Sequence, residues 1–213
     1  MVVDPQFEVD QYLELAQRYG LTIEAIINTH VHADHRSGDR ELARRVGAPI
    51  YLHRNAEVAY PFCALEDGAE ISLGNVIIRA LHTPGHTPES LSLLVSDRTR
   101  ADEPWMVLTG DTLFVGDVGR PDFGGEQAAD ELYRSLHAKL LALPDYVEVY
   151  PAHISGSPCG RAMSGKPSST IGFERRHNQA LQHRPARAFA QALLCDLPPK
   201  PAGFAEMIAL NRV

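Results

Sequence analysis

The run His30-Val31-His32-Ala33-Asp34-His35 constrains this chain more than any other feature of its sequence. Four potential metal ligands in six residues cannot all face one side of a helix or of a strand. On a loop they can converge on one or two cations. Imidazole and carboxylate together suit zinc, iron, nickel or manganese, and the lack of cysteine in the run argues against a structural zinc knot. Residues 21–28, rich in isoleucine, read as a buried strand that delivers its end directly into this loop.

Three further ligand-type residues stand in the same kind of place. His86 lies in Thr83-Pro84-Gly85-His86-Thr87-Pro88, a turn that breaks the antiparallel strands expected over 70–96. Asp111 follows Gly110 at the end of an apolar strand over 105–109, and His153 follows Pro151-Ala152 after a strand over 147–150. Helices are expected over 8–19 (capped by Gly20), 38–46 (closed by Gly47) and 126–143 (stopped by Pro144), with another strand over 49–53. A Gly/Ser/Pro-rich loop over 155–169 and two modest helices follow. Residues 1–197 read as one domain and 198–213 as a linker or tail. Polar motifs just past strand ends are where layered proteins of sheet and helix place their chemistry. The expectation is one metal site built from His30, His32, Asp34, His35, His86, Asp111 and His153.

Composition narrows the function classes. With 44% hydrophobic and 22% charged residues the chain reads as a globular protein, and no run of about 18 apolar residues marks a membrane span. A formal charge of -7 disfavours nonspecific nucleic-acid binding, which draws on Lys and Arg. The N-terminus is too short and acidic for a signal peptide, so a cytoplasmic location is the default expectation. Cys63, Cys159 and Cys195 lack metal-type spacing and fit a reducing compartment.

In order and type, these motifs resemble the metallo-β-lactamase superfamily, whose members carry His-x-His-x-Asp-His, a lone histidine, a bridging aspartate and a final histidine. The resemblance runs over nearly the whole chain. It implies an α+β fold, an αββα sandwich with the metal site at one edge. That sandwich is expected to lack its first N-terminal strands, since Met1 stands almost directly before Val3-Asp4-Pro5. An open sheet edge would result, with reduced stability, a compensating homodimer or a truncated chain as the expected consequence. The resemblance also implies His30, His32 and His86 as one metal position and Asp34, His35 and His153 as the other, with Asp111 between them.

Gly116-Asp117-Val118-Gly119-Arg120-Pro121-Asp122-Phe123 is similar to a stretch of persulfide dioxygenases, and closer to their rhodanese-linked relatives. So are Gly156-Ser157-Pro158-Cys159-Gly160 and Ser169-Thr170-Ile171-Gly172-Phe173-Glu174. Hydroxyacylglutathione hydrolases show an aromatic stretch there that Phe123 does not reproduce. The subgroup implies one Fe(II) per chain on His30, His86 and Asp111, leaving three positions for a persulfide sulfur and O2. His32, Asp34, His35 and His153 would then orient ligands, hold water or move protons, with Asp34 and His35 as catalytic candidates. Two zinc ions per chain on the same residues would instead support thioester hydrolysis of a hydroxyacylglutathione. A non-catalytic metal-binding remnant is the third alternative. A separate rhodanese-type sulfurtransferase is an expected partner.

Arg120 is a candidate for gripping a substrate carboxylate with its planar fork, or else it pairs with Asp117 or Asp122. Cys159, six residues beyond His153, is a candidate to carry or accept a persulfide sulfur, or else a plain loop residue. Cys63 and Cys195 are expected in the core. His53, His82, His137, His177 and His183 read as structural or surface residues. Glu174, Arg175 and Arg176 read as a solvated helix face with a weaker claim on an anionic thiol.

Overall fold

The computed structural model describes residues 1–213 except 122, 123, 183, 184, 196 and 198. Two sheets lie face to face. The first is parallel throughout, in the order β1 (Val2–Val3), β2 (Ile26–Ile27), β3 (Ile50–His53) and β4 (Cys63–Leu65). The second contains β5 (Glu70–Leu73), β6 (Val76–His82), β7 (Leu91–Asp97), β8 (Met106–Gly110), β9 (Glu148–Pro151) and β10 (Ser169–Thr170), neighbours in that order. It is antiparallel except between β8 and β9.

Strand alternation explains the layering, because successive side chains leave a strand on opposite faces. Ile26 packs outward with Val9 and Leu42, from the segments carrying α1 (Asp10–Tyr19) and α2 (Asp39–Val46). Ile27, its neighbour, packs inward with Leu65, Leu91 and Leu93 between the sheets. On the other side Leu94, Val107 and Val149 meet Leu132, Leu136, Phe189 and Leu193, from α3 (Gly125–Arg134), the turn after it and α5 (Ala186–Cys195). The result is the expected αββα sandwich. The helix expected over 126–143 changes at Ser135–Leu140 into a π-helical stretch. That shift keeps Leu132, Leu136 and Leu140 all fully buried, and Ser135 donates from Oγ to the Pro84 carbonyl at 2.7 Å, in the turn before His86.

Several expectations need correcting. Residues 21–28 contribute only the two-residue strand β2. Cys63 and Cys195 are exposed, the first on the edge strand β4 and the second at the end of α5. The reading of 198–213 as a linker or tail is corrected by α6 (Phe204–Arg212), whose Phe204 and Asn211 are buried. Two buried residues seven apart, with Met207 and Ile208 half-buried and Leu210 exposed between them, leave no periodic stripe to read. Pro198, where that segment was expected to begin, lies outside the described residues. Among the described residues no helix is long and apolar enough to cross a membrane.

His53 and His82 stack at 3.7 Å between ring centroids, with planes 7° apart. Burial, with the neighbouring His82, pushes the His53 pKa down from 6.5 to about 4. The unfolded chain therefore binds this proton more readily, so the stability it contributes is present above about pH 6.5 and lost as the pH falls towards 4. In urea melts at pH 7 and pH 5, the loss on acidification should be smaller in His53→Phe than in the wild type by about 2 kcal/mol. Equal losses would show that His53 does not titrate this way.

Candidate metal centre

The ligands are delivered by ends of both sheets. The loop after β2 carries His30 to His35, the turn between β6 and β7 carries His86, and β8 and β9 end just before Asp111 and His153. Close backbone approach holds two of these places. Gly85 has φ +136, and a Cβ there would lie 2.4 Å from the Leu132 backbone, so the turn bearing His86 sits directly on α3. A Cβ on Gly119 would lie 1.8 Å from the Asp111 carbonyl. Glycine is required at both.

Hydrogen bonds set the imidazoles so that lone pairs face inward. Thr29 spends its hydroxyl proton on Asp4 Oδ2 at 2.8 Å. The His30 Nδ1–H therefore donates to Thr29 Oγ1 at 3.0 Å, and His30 Nε2 is left as an acceptor. The Arg120 carbonyl can only accept, so His86 donates to it from Nδ1 at 3.0 Å and likewise keeps Nε2 free of a proton. His32 is turned the other way, with Nε2 donating to Asp4 Oδ1 at 3.0 Å and Nδ1 pointing into the site. Such outer partners fix ring orientation and raise ligand basicity.

Asp111 sits at the middle. Its Oδ2 is 4.0 Å from His30 Nε2 and 3.5 Å from His86 Nε2, and its Oδ1 is 3.4 Å from His153 Nε2. His153 Nε2 is also 3.5 Å from Asp34 Oδ2, and His35 Nδ1 lies 3.2 Å from both Asp34 oxygens. Three ligand groups result, each with its atoms within 4.8 Å of one another: His30, His86 and Asp111; His32, Asp34 and His35; Asp34, His153 and Cys159. The first is buried, its side chains 0 to 2% exposed, whereas Asp34, His35 and His153 are 13 to 22% exposed. The outer residues line a cavity of about 340 Å³ together with Asp4, His32 and Tyr150, at the low end of the range that admits small ligands.

The residues fit a metal. Both Asp111 oxygens, His32 Nδ1, His35 Nε2 and His153 Nε2 are buried without a hydrogen-bond partner, and orphaned buried polar atoms are costly unless something else satisfies them. Cations held by the ligand groups would satisfy them. Burial, followed by the surrounding imidazoles, pushes the His30 pKa well below its usual value, which keeps its nitrogen available. Burial acts the same way on His32, but the Asp4 carboxylate overrides it and lifts that pKa to about 9, so metal at Nδ1 would displace a proton. Asp34 is held ionised against burial by His35, His153 and His32.

All seven expected ligands thus come together. Cys159 joins them, buried among Phe114, Phe204 and Ala33, and burial with the Asp111 and Asp34 carboxylates raises its pKa, so it is a thiol. The Arg120 guanidinium lies elsewhere. It donates to the Pro158 carbonyl at 3.0 Å and lines a second cavity of about 600 Å³ with Arg161. Its alternative partner Asp117 is taken by the backbone and side chain of Arg161, while Asp122 and Phe123 lie outside the described residues. Glu174 is not on a solvated face: it is buried and accepts from Gly116 N and Asn178 Nδ2, both at 2.9 Å. Arg175 and Arg176 pair with Asp145. His82 donates to the Pro88 carbonyl, away from the ligands. His137 and His177 pack on Tyr133 and Phe173, and His183 is outside the described residues.

Sequence reasoning missed Asp4, Glu89 and Asn211. Asp4 directly follows a strand, the same signal that marked Asp111, and adopts φ 48, a strained conformation outside glycine. Glu89 is buried and accepts from Val31 N at 3.0 Å.

The metallo-beta-lactamase superfamily model matches residues 1–153, and the chain belongs to that superfamily. A probable metallo-hydrolase of Burkholderia pseudomallei is 35% identical over 192 residues, covering 79% of this chain and 64% of that protein. Mitochondrial persulfide dioxygenase ETHE1 of Bos taurus is 32% identical over 154 residues, covering 72% of this chain and 58% of that protein. This chain therefore spans less than two thirds of either relative. Among solved structures, a metallo-beta-lactamase from Staphylococcus aureus superposes with a TM-score of 0.90 at 35% identity, covering 99% of this chain and 64% of that one. ETHE1 from Myxococcus xanthus gives 0.84 at 31% identity, covering 99% and 86%.

If Asp4 orients His32 and Thr29 for metal binding, Asp4→Ala should weaken zinc retention about 10- to 100-fold in a chelator titration. Unchanged retention would contradict that role.

Proposed function

We propose that this chain oxidises a low-molecular-weight thiol persulfide, of the glutathione persulfide type, to sulfite and thiol with O2. The balance is RSSH + O2 + H2O → RSH + SO3²⁻ + 2H⁺. The observation that carries the reading is the buried convergence of two histidines and one carboxylate, His30, His86 and Asp111, beside a cavity where Asp34, His35 and His153 are more exposed. A 2-His-1-carboxylate set with open positions is the usual protein cradle of non-haem Fe(II) oxygenases. Identity with the bovine persulfide dioxygenase supports the same reading.

Iron(II) held by His30, His86 and Asp111 supplies the redox chemistry when bound. The chain's own residues do the rest. His30 and His86 are locked in the tautomer that presents Nε2, so little reorganisation is needed to bind. The cavity beside Asp34, His35 and His153 admits the substrate. Asp34, held ionised and hydrogen-bonded to His35 Nδ1, fixes that ring so that His35 Nε2, without another partner, is placed to take up one of the two protons released. Cys159 flanks the same carboxylates as a neutral thiol and is placed to meet a substrate sulfur. Pro158 and Gly160 on either side of it line the larger cavity with Arg120 and Arg161, whose guanidiniums bond the Pro158 carbonyl and Asp117.

One observation favours a second reading. Asp111 turns one oxygen towards His30 and His86 and the other towards His153, which suits a carboxylate shared by two metals. Two zinc ions would supply Lewis acidity for thioester hydrolysis, and the Burkholderia relative is named a metallo-hydrolase.

Protein purified without chelator or added metal should carry one iron per chain and consume O2 when given glutathione persulfide. Asp111→Ala should lose both properties. Two zincs per chain with O2-independent thioester cleavage would instead establish the hydrolase.

A further inference from the structure

The metal-binding loop is irregular: between β2 and α2 no sheet ladder holds its backbone. Besides backbone bonds such as Leu91 N to the Thr29 carbonyl at 2.8 Å and the isolated Gln6–Ser37 bridge, three side chains from distant segments hold it. Asp4 accepts from Thr29 N at 2.6 Å, Glu89 from Val31 N at 3.0 Å, and the far end of the loop is gripped by Asn211. Asn211 is 4% exposed and lies on α6. Its Nδ2 donates to the His32 carbonyl at 2.9 Å and to the His35 carbonyl at 2.8 Å, and its Oδ1 accepts from Ser37 N at 2.9 Å.

One carboxamide thus spends both donors and its acceptor on the backbone of a single six-residue segment. Two of the three bonded groups belong to expected ligands, and Asp34 lies between them. The donors are needed as donors, because two carbonyl oxygens face that nitrogen and only an N–H pair satisfies both. The helix has other anchors as well. Phe204 packs against Phe114 and Cys159, Ala59 N donates to the Arg212 carbonyl at 2.6 Å, and Arg40 donates to the Leu210 carbonyl at 3.3 Å. Docking of α6 therefore does not rest on Asn211 alone.

We infer that Asn211 is a positioning residue for the metal centre: α6 buckles the loop so that His32, Asp34 and His35 present their ligand atoms at one point. The inference needs a cation on His32, Asp34 and His35, a position outside the His30, His86 and Asp111 set that the proposed oxidation uses. Its success or failure is thus separate from that of the proposed oxidation.

Cobalt(II) is the probe, read by its visible absorption and by competition with a chelator. Asn211→Asp keeps the shape and the acceptor but turns an oxygen on the two carbonyls. It should release cobalt about 10- to 100-fold more readily and shift the absorption bands. Leu210→Ala, exposed on the same helix, should change neither. A folded Asn211→Asp protein with wild-type affinity and spectrum would overturn the inference.

Amide hydrogen exchange on the unmutated chain tests the same link without relying on a variant that folds. Adding cobalt should raise protection in residues 32–37 and in residues 204–212 together. Protection rising in the loop while α6 stays unchanged would also overturn it.

Discussion

The centre turns on the Asp111 carboxylate. It is sealed from solvent at the end of β8, among the described residues it accepts no hydrogen bond from a nitrogen or hydroxyl donor, and imidazole nitrogens stand 3.4 to 4.0 Å from its two oxygens. An ionised carboxylate buried without compensation costs several kcal/mol. His30 does not supply that compensation as a cation, because its burial and its neighbours drive it away from protonation, and His32, lifted to about 9, is already paired with Asp4. The protein alone leaves this cluster unsatisfied. A divalent ion held there would supply the missing charge and take up the lone pairs that the surrounding hydrogen bonds aim into the site.

The sandwich makes such a cluster affordable. Strands of two sheets end at one edge, so four loops and turns converge while the hydrophobic layers behind them stay fixed. Ile26 and Ile27, adjacent in sequence, anchor the histidine loop to two different layers of the core. The outer contacts are as directed as the ligands themselves. Thr29 and Asp4 set two imidazoles, the Arg120 carbonyl sets a third, and Glu174 and Asp117 tie down the segments that bring Cys159 to the site.

The parts legible in sequence were those whose chemistry is written in residue type and local spacing. The His-x-His-x-Asp-His run, His86 between prolines and glycine, and Asp111 and His153 after apolar strands all declared themselves, and all converge. The αββα layering followed from the family resemblance. What stayed hidden depends on contacts between distant positions. Asn211 reaches back more than 170 residues to the histidine loop, and Glu89 about 60, and no local pattern distinguishes an asparagine or glutamate that does so. Arg120 was legible as a cation but not in its direction, because its backbone carbonyl rather than its guanidinium faces the metal ligands. The exposed Cys63 and Cys195 failed for a simpler reason: apolar neighbours in sequence do not fix which face a short edge strand or a helix end turns inward.

Anomalous X-ray diffraction at the iron absorption edge, on crystals of protein never exposed to added metal, addresses the central claim most directly. The account predicts a single strong peak within bonding distance of His30 Nε2, His86 Nε2 and an Asp111 oxygen. A peak confined to Asp34, His35 and His153, or none beside Asp111, would contradict it.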